Sequence, residues 1–258
     1  MKVKNPPNVL PGAEGFLIEG SDYGVMLIHG GGGGSAADMR EIGAFINEYT
    51  GFTVFAPLLP GFGTVKEDLV DVTVADWINA VKAGFQEFQR DLKKTFVLGH
   101  SMGGVLALYL ASEYIDQIAG VISISAPMKL KGLLIKFVPF FRHFLKFYKQ
   151  NDLEEWARVT NGIWVGYEYI PLSIVGKFKN LIKMTYGQLN QITSPILIIQ
   201  GTRDEFVTKQ SPARIYEKVG SSRKTLLWFN SDHAILFAQI KTDMFKAVVD
   251  FLKQLGET

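Results

Sequence analysis

Six short apolar runs, Val25 to Ile28, Thr53 to Ala56, Thr95 to Leu98, Val121 to Ile124, Ile196 to Ile199 and Thr225 to Phe229, are separated by segments of a different periodicity. Between the first three lie Ala36 to Tyr49 and Val74 to Leu92, whose apolar residues recur at helical spacing. Strands that read as continuous apolar runs suit a sheet covered on both faces, and helix-length crossovers suit parallel pairing. The alternation therefore predicts an α/β chain built on a parallel sheet with helices on both sides. Residues 15–20 are expected to add an antiparallel edge strand that turns at Ser21-Asp22-Tyr23-Gly24.

The alternation lapses between about Ala126 and Gln191, where prolines, aromatics and basic residues dominate and no clean buried strand is visible. This predicts an inserted cap over 127–190, with 1–126 and 191–258 forming the core domain. In the first part of the insertion, apolar residues including Phe137, Phe141, Phe144 and Leu145 recur at helical intervals, and Lys131, Lys136, Arg142 and Lys146 take much of the other face. The expectation is an amphipathic helix or helix pair broken near Pro139.

At 258 residues and 47% hydrophobic, the chain has enough apolar surface for one core plus that insertion. Its net charge of +2 gives no global field for nucleic acid, and the absence of cysteine excludes disulfides, thiolate nucleophiles and Cys-ligated metals. Met1-Lys-Val-Lys-Asn-Pro-Pro is basic, but no apolar core of signal-peptide length follows it. Nowhere does a window reach the roughly 18 apolar residues of a spanning helix. The expectation is a soluble, cytoplasmic protein.

The strand-like run Thr95 to Leu98 leads into Gly99-His100-Ser101-Met102-Gly103-Gly104, and a helix-like run, Val105 to Ala111, leads out. A serine on such a tight strand-to-helix turn has a strained backbone, and its neighbours two positions away must lack a Cβ. Gly99 and Gly103 meet that need. A serine hydroxyl is a weak nucleophile at neutral pH, so it requires a base and a group that orients the base. Of four histidines, His29 and His100 lie in the loops around the turn and His143 lies in the insertion, whereas His233 follows the last predicted strand. His233 is the candidate base, because that loop opens on the same sheet edge as Ser101.

Asp204, after the run Ile196 to Ile199, is the candidate acid, with Glu205 and Asp232 as alternatives. Two backbone N–H groups must stabilise the developing oxyanion. Met102 supplies one, and the run Gly30 to Gly34 after the first strand supplies the other, at Gly31 with Gly30 and Gly32 as alternatives. Glycine runs also cradle phosphates, but no G-x-x-x-x-G-K-[ST] pattern is present.

His29-Gly30, Gly99-His-Ser-Met-Gly103, Gly201-x-x-Asp204 and Asp232-His233 resemble the α/β-hydrolase superfamily over nearly the whole chain. Asp38-Met-Arg40, Pro60-Gly-Phe-Gly63, Asp76-Trp77 and Ser125-Ala-Pro-Met128 are similar to segments of its small bacterial carboxylesterase and monoacylglycerol lipase group. The resemblance implies a mostly parallel eight-stranded sheet, a small helical cap between the sixth and seventh strands, and hydrolysis of acyl esters without a cofactor. Glycine at 31 departs from the group, which usually has a bulky residue there. The cap residues Phe137, Phe141, Phe144 and Leu145 are then expected to line an acyl pocket. The same cap face would allow transient contact with an anionic lipid surface. The fold also hosts thioester, carbon-carbon and perhydrolysis chemistry, as well as non-catalytic ligand binding. An aspartate nucleophile of the haloalkane type is disfavoured by Ser101.

Overall fold

The computed structural model describes residues 1–129, 145–150 and 152–256. Each apolar run is a strand. β1 (Phe16–Ile18), β2 (Ser21–Ile28), β3 (Phe52–Ala56), β4 (Lys94–His100) and β5 (Ile118–Ile124) precede the insertion. The insertion carries β6 (Phe147–Lys149) and β7 (Tyr169–Pro171), and β8 (Ile196–Gly201) and β9 (Lys224–Phe229) follow it. The central sheet has the order β1-β3-β2-β4-β5-β8-β9. All its pairs are parallel except β1 on β3.

Two expectations are corrected here. Ser21 to Gly24 is not a turn but the start of β2, and the chain reverses at Glu19-Gly20. Ser21 N–H donates to the Gly51 carbonyl at 2.7 Å, and a side chain at Gly20 would overlap that same carbonyl. The second correction is the strand count. The central sheet has seven strands among the described residues, not eight, so the insertion sits between its fifth and sixth. The segment before β1 contains Pro6, Pro7 and Pro11, which lack the N–H a ladder requires, and it runs as turns and loop.

Successive strand residues point to opposite faces, and the two faces hold separate cores. Met26, Ile28, Val97, Val121 and Ile198 face one core with Trp77, Phe85 and Leu106. Val25, Leu27, Phe96, Leu98, Ile122 and Ile199 face the other with Ile42, Ile46, Val248 and Leu252. The second face is covered by α1 (Arg40–Thr50) and by the C-terminal helix Lys241–Gly256. The short α2 (Asp68–Asp71) leads to α3 (Val74–Gln89), which starts with a capping box between Thr73 and Asp76. Beside α3 on the first face lies α4 (Met102–Glu113), which is buried from Met102 through Ser112. A helix apolar on all sides belongs inside the protein, and this one lies between sheet, α3 and a helix of the insertion.

Within the insertion, β6 and β7 form an antiparallel ribbon, Asp152 caps α5 (Leu153–Val159), and α6 (Ser173–Gln188) follows. The described part of the insertion is therefore mixed strand and helix. α6 packs along α4 with Leu181 buried, so the expected boundary at 190 encloses a helix of the core layer. Lys177 Nζ fastens α6 to α2 by donating to the carbonyls of Leu69 at 2.9 Å and Val70 at 2.7 Å. The helix expected around Pro139, with Phe137, Phe141 and Phe144, lies outside the described residues. α7 (Gln210–Lys218) joins β8 to β9, and the C-terminal helix is α8.

Trp77 is fully buried in α3, and its Nε1–H donates to the Pro60 carbonyl at 3.0 Å, which fixes the loop after β3. Trp77→Phe leaves that carbonyl without its donor and opens a small cavity, so we expect a loss of about 2 kcal/mol. Urea unfolding of the two proteins checks this; equal midpoints would contradict it.

Candidate active site

Loops at the carboxyl ends of β2, β3, β4, β8 and β9 meet at one edge of the sheet. The turn between β4 and α4 puts Ser101 there with φ 54° and ψ −119°, a positive φ that costs on the order of 1–3 kcal/mol for a residue with a side chain. The turn is tight enough that a Cβ on Gly99 would overlap the Gly103 carbonyl, and one on Gly103 would overlap the Ile28 carbonyl. Both glycines are thus required for the reason anticipated from their spacing. Ser101 N–H donates to the Ile124 carbonyl at 2.8 Å, tying the turn to β5.

His233 comes from the loop after β9, with Nε2 2.9 Å from Ser101 Oγ and Nδ1 2.8 Å from Asp204 Oδ2. An ionised carboxylate only accepts, so Nδ1 carries the proton toward Asp204 and Nε2 is free to accept from the serine hydroxyl. Asp204 is buried. Its Oδ1 accepts from Phe206 N–H at 2.9 Å and Val207 N–H at 2.8 Å, and its Oδ2 also accepts from Gln200 Nε2 at 2.8 Å. Burial alone would raise its pKa, but the hydrogen bonds from His233, Val207 and Gln200, together with the charge of His233, outweigh burial and hold it below the usual value. The alternative acids are elsewhere: Glu205 is exposed, and Asp232 is exposed with Oδ1 accepting from Ala234 N–H.

The glycine run passes beside Met102. A Cβ on Gly31 would come within 2.6 Å of Met102 Sδ and 3.1 Å of its Cβ, so a side chain at 31 competes with Met102 for one space. Glycine at this position is the counterpart of the bulky Met102 across the site. Met102 opens α4, where the first N–H groups have no intrahelical partner.

Two buried histidines frame the site. His29 Nδ1–H donates to the Gly30 carbonyl at 2.8 Å while Nε2 accepts from Leu59 N–H at 3.0 Å, joining the loops after β2 and β3. Burial lowers its pKa to about 4. His100 Nε2–H donates to the His233 carbonyl at 3.0 Å, and burial, then the charge of His233, lower its pKa to about 3. Gln200 and His100 thus hold Asp204 and His233 in place. Neither role is legible in the sequence: His100 stands inside the Gly99–Gly103 motif at a position whose side chain the turn itself does not dictate, and Gln200 lies within a strand.

A cavity of about 390 Å³ opens at Ser101 and His233. Tyr148, Ile170, Ile174, Val175 and Phe178 of the insertion form one wall, and Asp38, Gln150, Trp156 and Trp164 belong to its lining as well. Leu145 is 51% exposed and absent from that lining. The cavity is lined instead by residues of β7, α6 and the 148–164 segment. The other three expected pocket residues, Phe137, Phe141 and Phe144, lie outside the described residues.

The profile of the family described as serine aminopeptidase, S33 matches residues 21–238. A carboxylesterase of Bacillus subtilis (strain 168) is 28% identical over 247 residues, covering 93% of this chain and 96% of its own. A thermostable monoacylglycerol lipase of Bacillus sp. (strain H-257) is 30% identical over 236 residues, covering 88% of each. Among solved structures, one of the metagenome-derived lipolytic enzymes LipS and LipT superposes with a TM-score of 0.85 at 25% identity, over 95% of this chain and 99% of that one. The monoacylglycerol lipase of Paleococcus ferrophilus superposes with a TM-score of 0.76 at 18% identity, over 93% and 98%.

His29 carries a pH prediction. Unfolded, it takes a proton below about pH 6.5; folded, it stays neutral down to about 4. The unfolded state binds more protons in that window, so this group's contribution to stability is lost as pH falls through it. His29→Gln removes the linkage. We expect the stability gap between wild type and variant to narrow by about 2 kcal/mol from pH 7 to pH 5. Urea midpoints at both pH values check this, and a constant gap would contradict it.

Proposed function

Because the chain belongs to the serine aminopeptidase S33 family of α/β-hydrolases, we propose that it is a carboxylic ester hydrolase of the carboxylesterase and monoacylglycerol lipase type that works through an acyl-enzyme on Ser101. The observation that carries this reading is the continuous relay from Ser101 Oγ through His233 to Asp204, with both links under 3 Å. The relatives named carboxylesterase and monoacylglycerol lipase support the ester as the bond attacked.

In this mechanism Ser101 Oγ attacks the ester carbonyl while His233 Nε2 takes its proton, and Asp204 keeps the ring in the required tautomer and stabilises the imidazolium. The N–H groups of Met102 and Gly31 receive the oxyanion; being backbone groups, they need no reorganisation as charge develops. His233 then protonates the departing alcohol. Water, activated by the same imidazole, attacks the acyl-enzyme, and Ser101 recovers its proton as the acid leaves. The wall formed by Ile170, Ile174, Val175 and Phe178 receives an acyl chain, with burial worth about 0.8 kcal/mol per methylene.

Kinetics on esters of increasing acyl length, with leucine p-nitroanilide as an amide control, test the reading. Wild type should hydrolyse the esters, and Ser101→Ala should lose at least about 10³-fold in kcat with an unchanged melting curve. An alanine variant that keeps its activity, or a wild type that cleaves the anilide and no ester, would overturn it.

A further inference from the structure

Asp38 lies in the short turn of 3-10 helix Ala36–Met39 that follows the glycine run, and it lines the cavity shared with Ser101 and His233. Part of its role is local. Ser35 caps the turn, its Oγ accepting from Ala37 N–H, while Ser35 N–H donates to the Asp38 carboxyl. Among the described residues, Oδ1 is buried without a hydrogen-bond partner. An uncompensated buried oxygen is destabilising, and capping of the turn does not account for its retention. We propose that Asp38 is the residue with which the cavity holds a hydroxylated leaving alcohol, the glyceryl part of a monoacylglycerol, through hydrogen bonds. This rests on the ester-hydrolase reading above.

The surroundings of the carboxyl fit that ligand. A side chain at Gly34 would overlap Asp38 Oδ2, so the glycine lets the carboxyl lie against the loop beside the serine. Among the described lining residues there is no lysine or arginine to pair with it. Burial pushes its pKa up to about 8. At neutral pH the group is therefore largely an un-ionised acid, with one donor and a free acceptor, which is the hydrogen-bonding complement of an alcohol. Gln150, whose Nε2 comes within 3.1 Å of where a Gly32 Cβ would stand, adds a second polar group near the loop. The aliphatic wall of β7 and α6 offers no such groups. A saturated acyl chain has no donor to give Asp38, whereas a glyceryl group has two hydroxyls.

The test compares the propyl and the 2,3-dihydroxypropyl ester of one fatty acid, which differ only in those hydroxyls. Wild type should prefer the glyceryl ester. Asp38→Leu should lower kcat/KM for the glyceryl ester at least tenfold more than for the propyl ester, mainly through KM. Asp38→Asn, whose amide both donates and accepts, should keep most of the preference. Equal losses on both esters would reduce Asp38 to a capping residue and overturn the inference. If Asp38→Leu fails to fold, wild type still decides: propyl hydrolysis without glyceryl preference overturns this inference alone, whereas inactivity on both esters overturns the ester-hydrolase reading and this inference with it.

Discussion

The backbone of Ser101 is held at a positive φ between the last residue of β4 and the first of α4, and the other parts of the site are arranged around that turn. A strained residue persists only where its surroundings over-determine it. Here they comprise the hydrogen bond from Ser101 N–H to Ile124, the contact of Gly99 with Gly103, and a helix buried along almost its whole length. The long apolar run after the serine therefore does more than fill the core. It anchors the helix that starts directly after Ser101, and α3 and α6 clamp that helix against the sheet.

The site is also an electrostatic arrangement in which burial decides which groups carry charge. Asp204 is buried yet stays ionised because four donors converge on its two oxygens. Among the described residues, His29 and His100 have no charged partner at hydrogen-bond distance; burial keeps them neutral, and each uses its ring to hold a backbone carbonyl. Asp38, with one donor from Ser35, is pushed the other way. The same desolvation thus produces an ionised acid where hydrogen bonds are dense and a neutral one where they are sparse. The serine relay needs the first kind, and recognition of a neutral alcohol suits the second.

How much of this was legible follows from which forces have a sequence period. The buried parallel strands show as apolar runs, and the serine turn shows because its glycines are imposed by backbone overlap at fixed spacing. The loops after β8 and β9 point to Asp204 and His233, and the structure brings both within hydrogen-bond reach of their partners. The reversal at Gly20 was misplaced by a few residues because its cause, a close approach to Gly51, joins positions far apart in sequence. The mixed character of the insertion was missed for a related reason. β6 and β7 are three residues each, too short for a period-2 signal, and they pair with one another across more than an α-helix of intervening chain. Gln200, His100 and Asp38 act through individual contacts that no spacing rule announces, although His100 and Asp38 stand in segments that carry the family resemblance.

The central claim is that Ser101 is the atom on which the acyl group rides. Treating the protein with a fluorophosphonate and mapping the adduct by peptide mass spectrometry addresses it without choosing a substrate. The account predicts a single adduct on the peptide containing Ser101, formed slowly or not at all in His233→Ala and absent from Ser101→Ala. An adduct on another serine, or labelling of Ser101→Ala at the wild-type rate, would contradict it.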